Sequence, residues 1–132
     1  MKKISQEELN EILESHELWL RGGGGLQADL TNVDLSDADL RYANLKRADL
    51  IHVNLIGANL RYANLRYVDL RCADLSNADL KFADLKHADL RHVDLINANL
   101  AYADLTYTDL THANLSNANL EHAKTNNYTI GL

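Results

Sequence analysis

The stretch ADLRYANLKRADLIHVNLIGANLRYANL, residues 38–65, decides the fold. Leucine stands at 40, 45, 50, 55, 60 and 65, each preceded by Asp or Asn and, one residue earlier, by Ala or Val. The rhythm extends without a gap from Leu30 to Leu120, nineteen leucines in all, with Thr108 the one other residue type at the small position. A period of five suits neither ordinary element. On an α-helix five residues turn about 500°, so the leucines would spiral round every side. On a flat strand an odd step throws alternate leucines to opposite faces. A chain that turns a corner every five residues keeps them all on one axis. The pattern predicts an all-β solenoid with Leu, and the small residue two before it, pointing inward.

The position two after each Leu sets the number of sides. A four-sided coil stacks residues twenty apart, and at that step the position reads Tyr42, Tyr62, Phe82, Tyr102, His122, a column of rings. A second column, Asp37, Gly57, Asn77, Asn97, Asn117, is small or turn-favouring throughout. A three-sided coil stacks residues fifteen apart and gives Tyr42, Gly57, Cys72, His87, Tyr102, which share no chemistry. Stacked neighbours prefer like partners, so the expectation is a quadrilateral β-helix. Residues 26–125 then make about five coils, a rod about 24 Å long at the inter-strand spacing of about 4.8 Å.

Residues 1–25 differ. Ser5 to Glu8 form a capping box, flanked by Ile4 and Leu9 as a hydrophobic staple. Leu9, Ile12, Leu13, His16, Trp19 and Leu20 mark one face of a helix, and Gly22 to Gly25 make a junction where a left-handed C-terminal residue is wanted. This segment is expected to be an α-helical cap on the open first coil. The repeat pattern fails at Lys124, leaving 126–132 as a C-terminal tail. Tyr128, Ile130 and Leu132 alternate and are expected to lie across the last coil. A monomer is therefore favoured over a dimer formed through that end.

Composition narrows the functional classes. The net charge of −6 argues against direct nucleic-acid binding. A single cysteine, Cys72, suits a reducing cytoplasm. No apolar run reaches the roughly 20 residues needed to span a bilayer. Twelve of the thirteen aspartates occupy the repeat position before Leu, where the scaffold explains them. No phosphate loop and no nucleophile with a patterned base is present, so the expectation is a non-enzymatic chain needing no cofactor.

The outward columns supply the candidate sites. Tyr42, Tyr62, Phe82 and Tyr102 form a strip for protein contact or for stacking between coils. Asn32, His52, Cys72, His92 and His112 form a column whose imidazoles and thiol could share a metal ion, set against the plain reading of outward residues that tolerate any soluble side chain. Arg41, Arg61 and Lys81 fall in one column, Lys46, Arg66 and Lys86 in the next, and Arg71 and Arg91 in a third, beside rows of aspartates.

The tandem Ala-Asp/Asn-Leu-x-x units, as in Ala38-Asp39-Leu40-Arg41-Tyr42 and Ala83-Asp84-Leu85-Lys86-His87, resemble the pentapeptide repeat family over about 100 residues. The resemblance implies a right-handed quadrilateral β-helix with Leu30 through Leu120 as the central inward residues. It implies a family common in bacteria and mostly without assigned roles. One branch mimics duplex DNA with an acidic rod to inhibit or protect DNA gyrase, a type II topoisomerase. This chain departs from that branch in having about half the rod length and no C-terminal dimerisation helix. The leading expectation is a scaffold or protein-interaction module with an unknown protein partner; the alternative is a DNA-mimic binder of a topoisomerase.

Overall fold

The computed structural model describes residues 1–132. It contains a short strand β1 (Lys2–Lys3), a helix α1 (Gln6–Leu20) and a short strand β2 (Val33–Asp34), parallel to β1. Everything else is turns joined by single-residue parallel bridges. Asp29 pairs with Asp49, Asp49 with Asp69, Asn44 with Asn64, and so on at steps of twenty residues through Asp104 and Lys124. Four turns separate each residue from its bridge partner, so each coil has four sides. Of 85 backbone hydrogen bonds only 12 lie inside named elements, so inter-coil ladders and turns hold the chain together. In the ladders Leu50 N–H donates to Asp69 O at 2.8 Å, and Asp69 N–H to Ala48 O at 3.1 Å.

Every turn is built alike. The N–H of the small residue closes onto the preceding leucine, as Ala83 onto Leu80 O at 2.9 Å. The residue two after each leucine has positive φ, from Asn32 at 60° to His122 at 59°, the pattern of a type II turn. Of these nineteen positions only 57 is glycine, though left-handed backbone costs an L-residue about 1–2 kcal/mol. The preceding Asp or Asn offsets that cost. At all nineteen repeats its Oδ1 accepts the N–H two residues on, as at Asp74 to Ser76 (3.0 Å) and Asn99 to Ala101 (3.0 Å). This is why all nineteen repeats carry one of those two residue types: their short side chains set a carboxylate or amide oxygen at that reach, which Leu lacks and a Ser hydroxyl matches only weakly. Leucines 30 to 110 are buried to within 2% of complete, with the alanines and valines beside them. Inward Thr108 donates its hydroxyl to Leu85 O at 2.8 Å and so costs the core no unpaired group.

The first coil is closed by α1 and its flanks. Ser5 Oγ accepts Glu8 N–H at 3.1 Å, Leu9 is buried against the core, and Gly22 has φ of 72° after the helix. Each side of the open coil then receives its own partner. β1 pairs with β2. The Gln6 side-chain amide imitates a strand, donating to Asp39 O at 3.0 Å and accepting Asp39 N–H at 3.1 Å. His16 is fully buried; its Nδ1 accepts Ala28 N–H at 2.9 Å, so its Nε2 carries the proton donated to Lys46 O at 2.8 Å. Gln27 donates to Arg47 O. Gly25 is required because a Cβ there would strike Ser15 O.

The other end is treated differently. The tail does not cross the last coil. It continues the ladder for one more side with a single extra residue, pairing Asp109 with Ile130 at a step of twenty-one, and Asn126 accepts Tyr107 N–H at 3.1 Å. Lys124 keeps the repeat register by pairing with Asp104, and the extra residue enters after it. The expected self-capping is thus met on one side of four. Leu115 and Leu120 remain partly exposed, and the N–H groups of Leu115, Asn117, Leu120 and His122 donate to nothing in the chain. No helix is long and apolar enough to cross a membrane.

Candidate functional site

The ring strip is a continuous stack. Tyr42, Tyr62, Phe82, Tyr102 and His122 follow one another at centroid distances of 4.9–5.0 Å with interplanar angles from 3° to 26°. The left-handed turn residue presents each ring at the same height on successive coils. A second ladder stands on the next corner, where Arg47 lies over Tyr67 at 4.8 Å, followed by His87, Tyr107 and Tyr128. Its twenty-residue spacing was available in the sequence, but an arginine at its head and a one-residue shift at its foot disguise it.

The His/Cys column does not assemble a metal centre. No three His, Cys, Asp or Glu side chains converge anywhere in the chain. His92 and His112 stack face to face at 4.9 Å, 22° from parallel. Near-parallel rings aim their nitrogens alongside each other, whereas a shared zinc needs both within about 2.1 Å. His52 and exposed Cys72 instead line a shallow hollow of about 350 Å³ with Met1, Asn32 and Ile56. A hollow of about 460 Å³ lies between α1 and the first coil, against Gln6, Asn10, Leu13, Arg41 and Tyr42.

Charge is distributed by side. The side carrying Asp29, Asp49, Asp69, Asp89 and Asp109 presents an aspartate in every coil. Arg71 and Arg91 interrupt it, each pairing with the aspartate of its own repeat at 2.7 Å and reaching the next coil's at 3.7 and 3.9 Å. The side-chain hydrogen bond from Arg91 holds Asp89 below its ordinary value against the opposing effect of burial. At Asp39 the hydrogen bonds from Arg41, side chain first and backbone second, lower the pKa from 3.8 to about 2. Thr31 lowers Asp29, and Ser36 lowers Asp34. Burial pushes Asp104 up, yet hydrogen bonds from Thr106 with nearby Lys86 and Lys124 bring it down on balance. These carboxylates are tied into turns and ion pairs, which explains their number without chemistry.

Parallel rungs twenty residues apart, turned at every fifth residue about a leucine axis, define a β-helix solenoid whose only distinctive features are its surface columns and its open end. The sequence profile described as Pentapeptide repeats matches residues 28–66, 58–95 and 94–124, and the chain belongs to that family. Its members' β-helix is right-handed, as the resemblance implied. Among solved structures, a pentapeptide repeat protein from the thylakoid lumen of Arabidopsis thaliana is 34% identical, with a TM-score of 0.73 over 76% of this chain and 70% of that one. A pentapeptide repeat protein from Nostoc is 30% identical over 89% of this chain and 82% of its own, with a TM-score of 0.42. QnrB1, a plasmid-mediated fluoroquinolone resistance protein, is 22% identical over 82% and 71%, with a TM-score of 0.37. No curated protein matches.

Proposed function

We propose that this chain is a non-enzymatic scaffold that binds another protein, in the cytoplasm. The observation that carries this reading is the asymmetry between the two ends. At the N-terminal end every side of the first coil meets a strand, an amide or an imidazole. At the C-terminal end, unpaired N–H groups of Leu115, Asn117, Leu120 and His122 lie beside partly exposed leucines. A row of free donors next to apolar surface is a template for an added chain. The test is affinity capture from the native host, with the chain tethered by its N-terminus, paired with light scattering across a concentration series. A retained protein or a concentration-dependent dimer supports the reading. A strict monomer that captures nothing refutes it.

The five-aspartate side gives the topoisomerase reading its one specific observation, a ladder with an aspartate in every coil. Arg71 and Arg91 neutralise its middle, which a mimic of duplex phosphates would avoid. A gyrase supercoiling assay decides it: unchanged activity with the chain in excess removes this alternative.

A further inference from the structure

We propose that the side of the rod formed by residues 41–47 and 61–67 binds an extended acidic segment of a partner protein. This rests on the reading of the chain as an interaction module, and it adds a surface separate from the open end. RYANLKR (41–47) and RYANLRY (61–67) stack one on the other. Together they carry Arg41, Lys46, Arg47, Arg61 and Arg66 and no carboxylate, within a chain of net charge −6.

The missing acids are not a demand of the fold. Asn44 and Asn64 accept the N–H groups of Lys46 and Arg66 at 3.3 and 3.2 Å, the same bond that Asp84 makes with Lys86 at 3.1 Å. Aspartate would serve these turns equally, so the two asparagines change the charge of the side and nothing else. The pairing of the cations reflects this. A cation at this position pairs with the acid of its own repeat, as Arg41 with Asp39, or of the next coil, as Arg61 with Asp79 and Lys86 with Asp104. For Lys46 both places hold asparagine, and it forms no ion pair. Arg47 lies over the Tyr67 ring and also has none. Arg66 comes within only 3.9 Å of Asp84, and its buried Nε has no hydrogen-bond partner. Lys46 and Arg47 are thus left without an ion-pair partner inside the chain, and the adjacent Arg66 has only the long contact to Asp84.

The dimensions select the occupant among anions. One side of the coil spans about 10 Å, three extended residues. A nucleic-acid duplex is wider and would overlie the neighbouring column Asp49, Asp69, Asp89. Single-stranded nucleic acid is held by stacking bases on open rings, but along this side the rings already stack on one another at 4.4–5.0 Å. An extended peptide needs only the cations and fits the width.

The test is fluorescence anisotropy with the full chain and a fluorescein-labelled peptide alternating Asp and Ser over about ten residues, long enough to follow the rod, at about 50 and about 150 mM salt. We expect binding that weakens with salt and falls about tenfold in the Lys46→Gln/Arg66→Gln variant. The same loss is expected in Asn44→Asp/Asn64→Asp, which keeps both turns intact, while Arg71→Gln/Arg91→Gln, on another corner, changes it less than about twofold. Circular dichroism melts confirm that each variant is folded. Three results overturn the proposal: no peptide binding at the lower salt, equal losses in all three variants, or tighter binding of an oligo-dT of equal charge. A native partner held equally by the wild type and by Asn44→Asp/Asn64→Asp also overturns it while leaving the interaction-module reading standing. A chain that captures nothing from its host removes that broader reading whatever the peptide does.

Discussion

Tyr107 stacks on Tyr128 with ring centroids 5.3 Å apart and planes 12° from parallel, across twenty-one residues where every other ring pair of the two ladders spans twenty. The extra residue is accommodated in the turn after Lys124, where Asn126 accepts the N–H groups of both Tyr107 and Tyr128 at 3.1 Å. The tail is therefore a sixth rung on one side, held by a ring and an amide. Tyr128→Ala is expected to cost about 1 kcal/mol, lowering Tm by roughly 3–5 °C. Hydrogen exchange would localise the loss to Leu110 N–H, which donates to Ile130 O. Unchanged protection at Leu110 would show that the tail is not anchored by the ring.

The N-terminal cap hangs on His16. Replacing it with Phe fills the volume but leaves Ala28 N–H and Lys46 C=O buried without partners, a cost of about 1–3 kcal/mol each. The expected result is loss of hydrogen-exchange protection through α1 and the first coil, with the later coils kept. Melting of the whole rod as one unit would contradict a cap held by local bonds.

Asp74 accepts both the N–H and the hydroxyl of Ser76, at 3.0 and 2.6 Å. Asp74→Ala should cost about 1–2 kcal/mol in a denaturation midpoint, while Asp74→Asn should recover most of it, because the fold needs the oxygen and not the charge. Equal losses in the two variants would assign the role to charge.

Acid sensitivity follows from the depressed carboxylates. Asp39 falls from 3.8 to about 2 on folding, and Asp29, Asp34, Asp89 and Asp104 shift in the same direction. A carboxylate with a depressed folded pKa contributes stability that is present above its unfolded value and lost as pH falls through its folded value. Tm is therefore expected to be level above about pH 4 and to decline from there towards about pH 2. Asp39→Asn should lessen the decline. A fall beginning near pH 6 would point to histidine instead.

The fold was legible because its determinant is redundant. Nineteen leucines with an Asp or Asn before each leave one geometry, and the columns Tyr42 to His122 and Asp37 to Asn117 carry the twenty-residue step. The closure of the ends was less so. Lys2 and Lys3 carry no strand signal and pair only because β2 offers an edge. Gln6 reads as a polar helix residue until its amide meets Asp39. His16 reads as part of an apolar face, and its two hydrogen bonds depend on residues 12 and 30 positions away. The second ring ladder was hidden by Arg47 above and the shifted Tyr128 below. The basic side emerges only when residues are sorted by side of the coil, because the overall charge has the opposite sign.

Every surface described above depends on residues twenty apart lying in one column, and the single native cysteine allows a direct measurement. In a His52→Cys variant the new thiol stands one coil from Cys72, at about 4.8 Å along the ladder, within reach of a disulfide. In a His87→Cys variant it stands fifteen residues away on a different corner. Mild oxidation at low protein concentration, followed by peptide mapping, is predicted to give an intramolecular disulfide in the first variant and none in the second. A disulfide between positions 72 and 87, with none between 52 and 72, would contradict the four-sided coil and remove the surfaces defined on it.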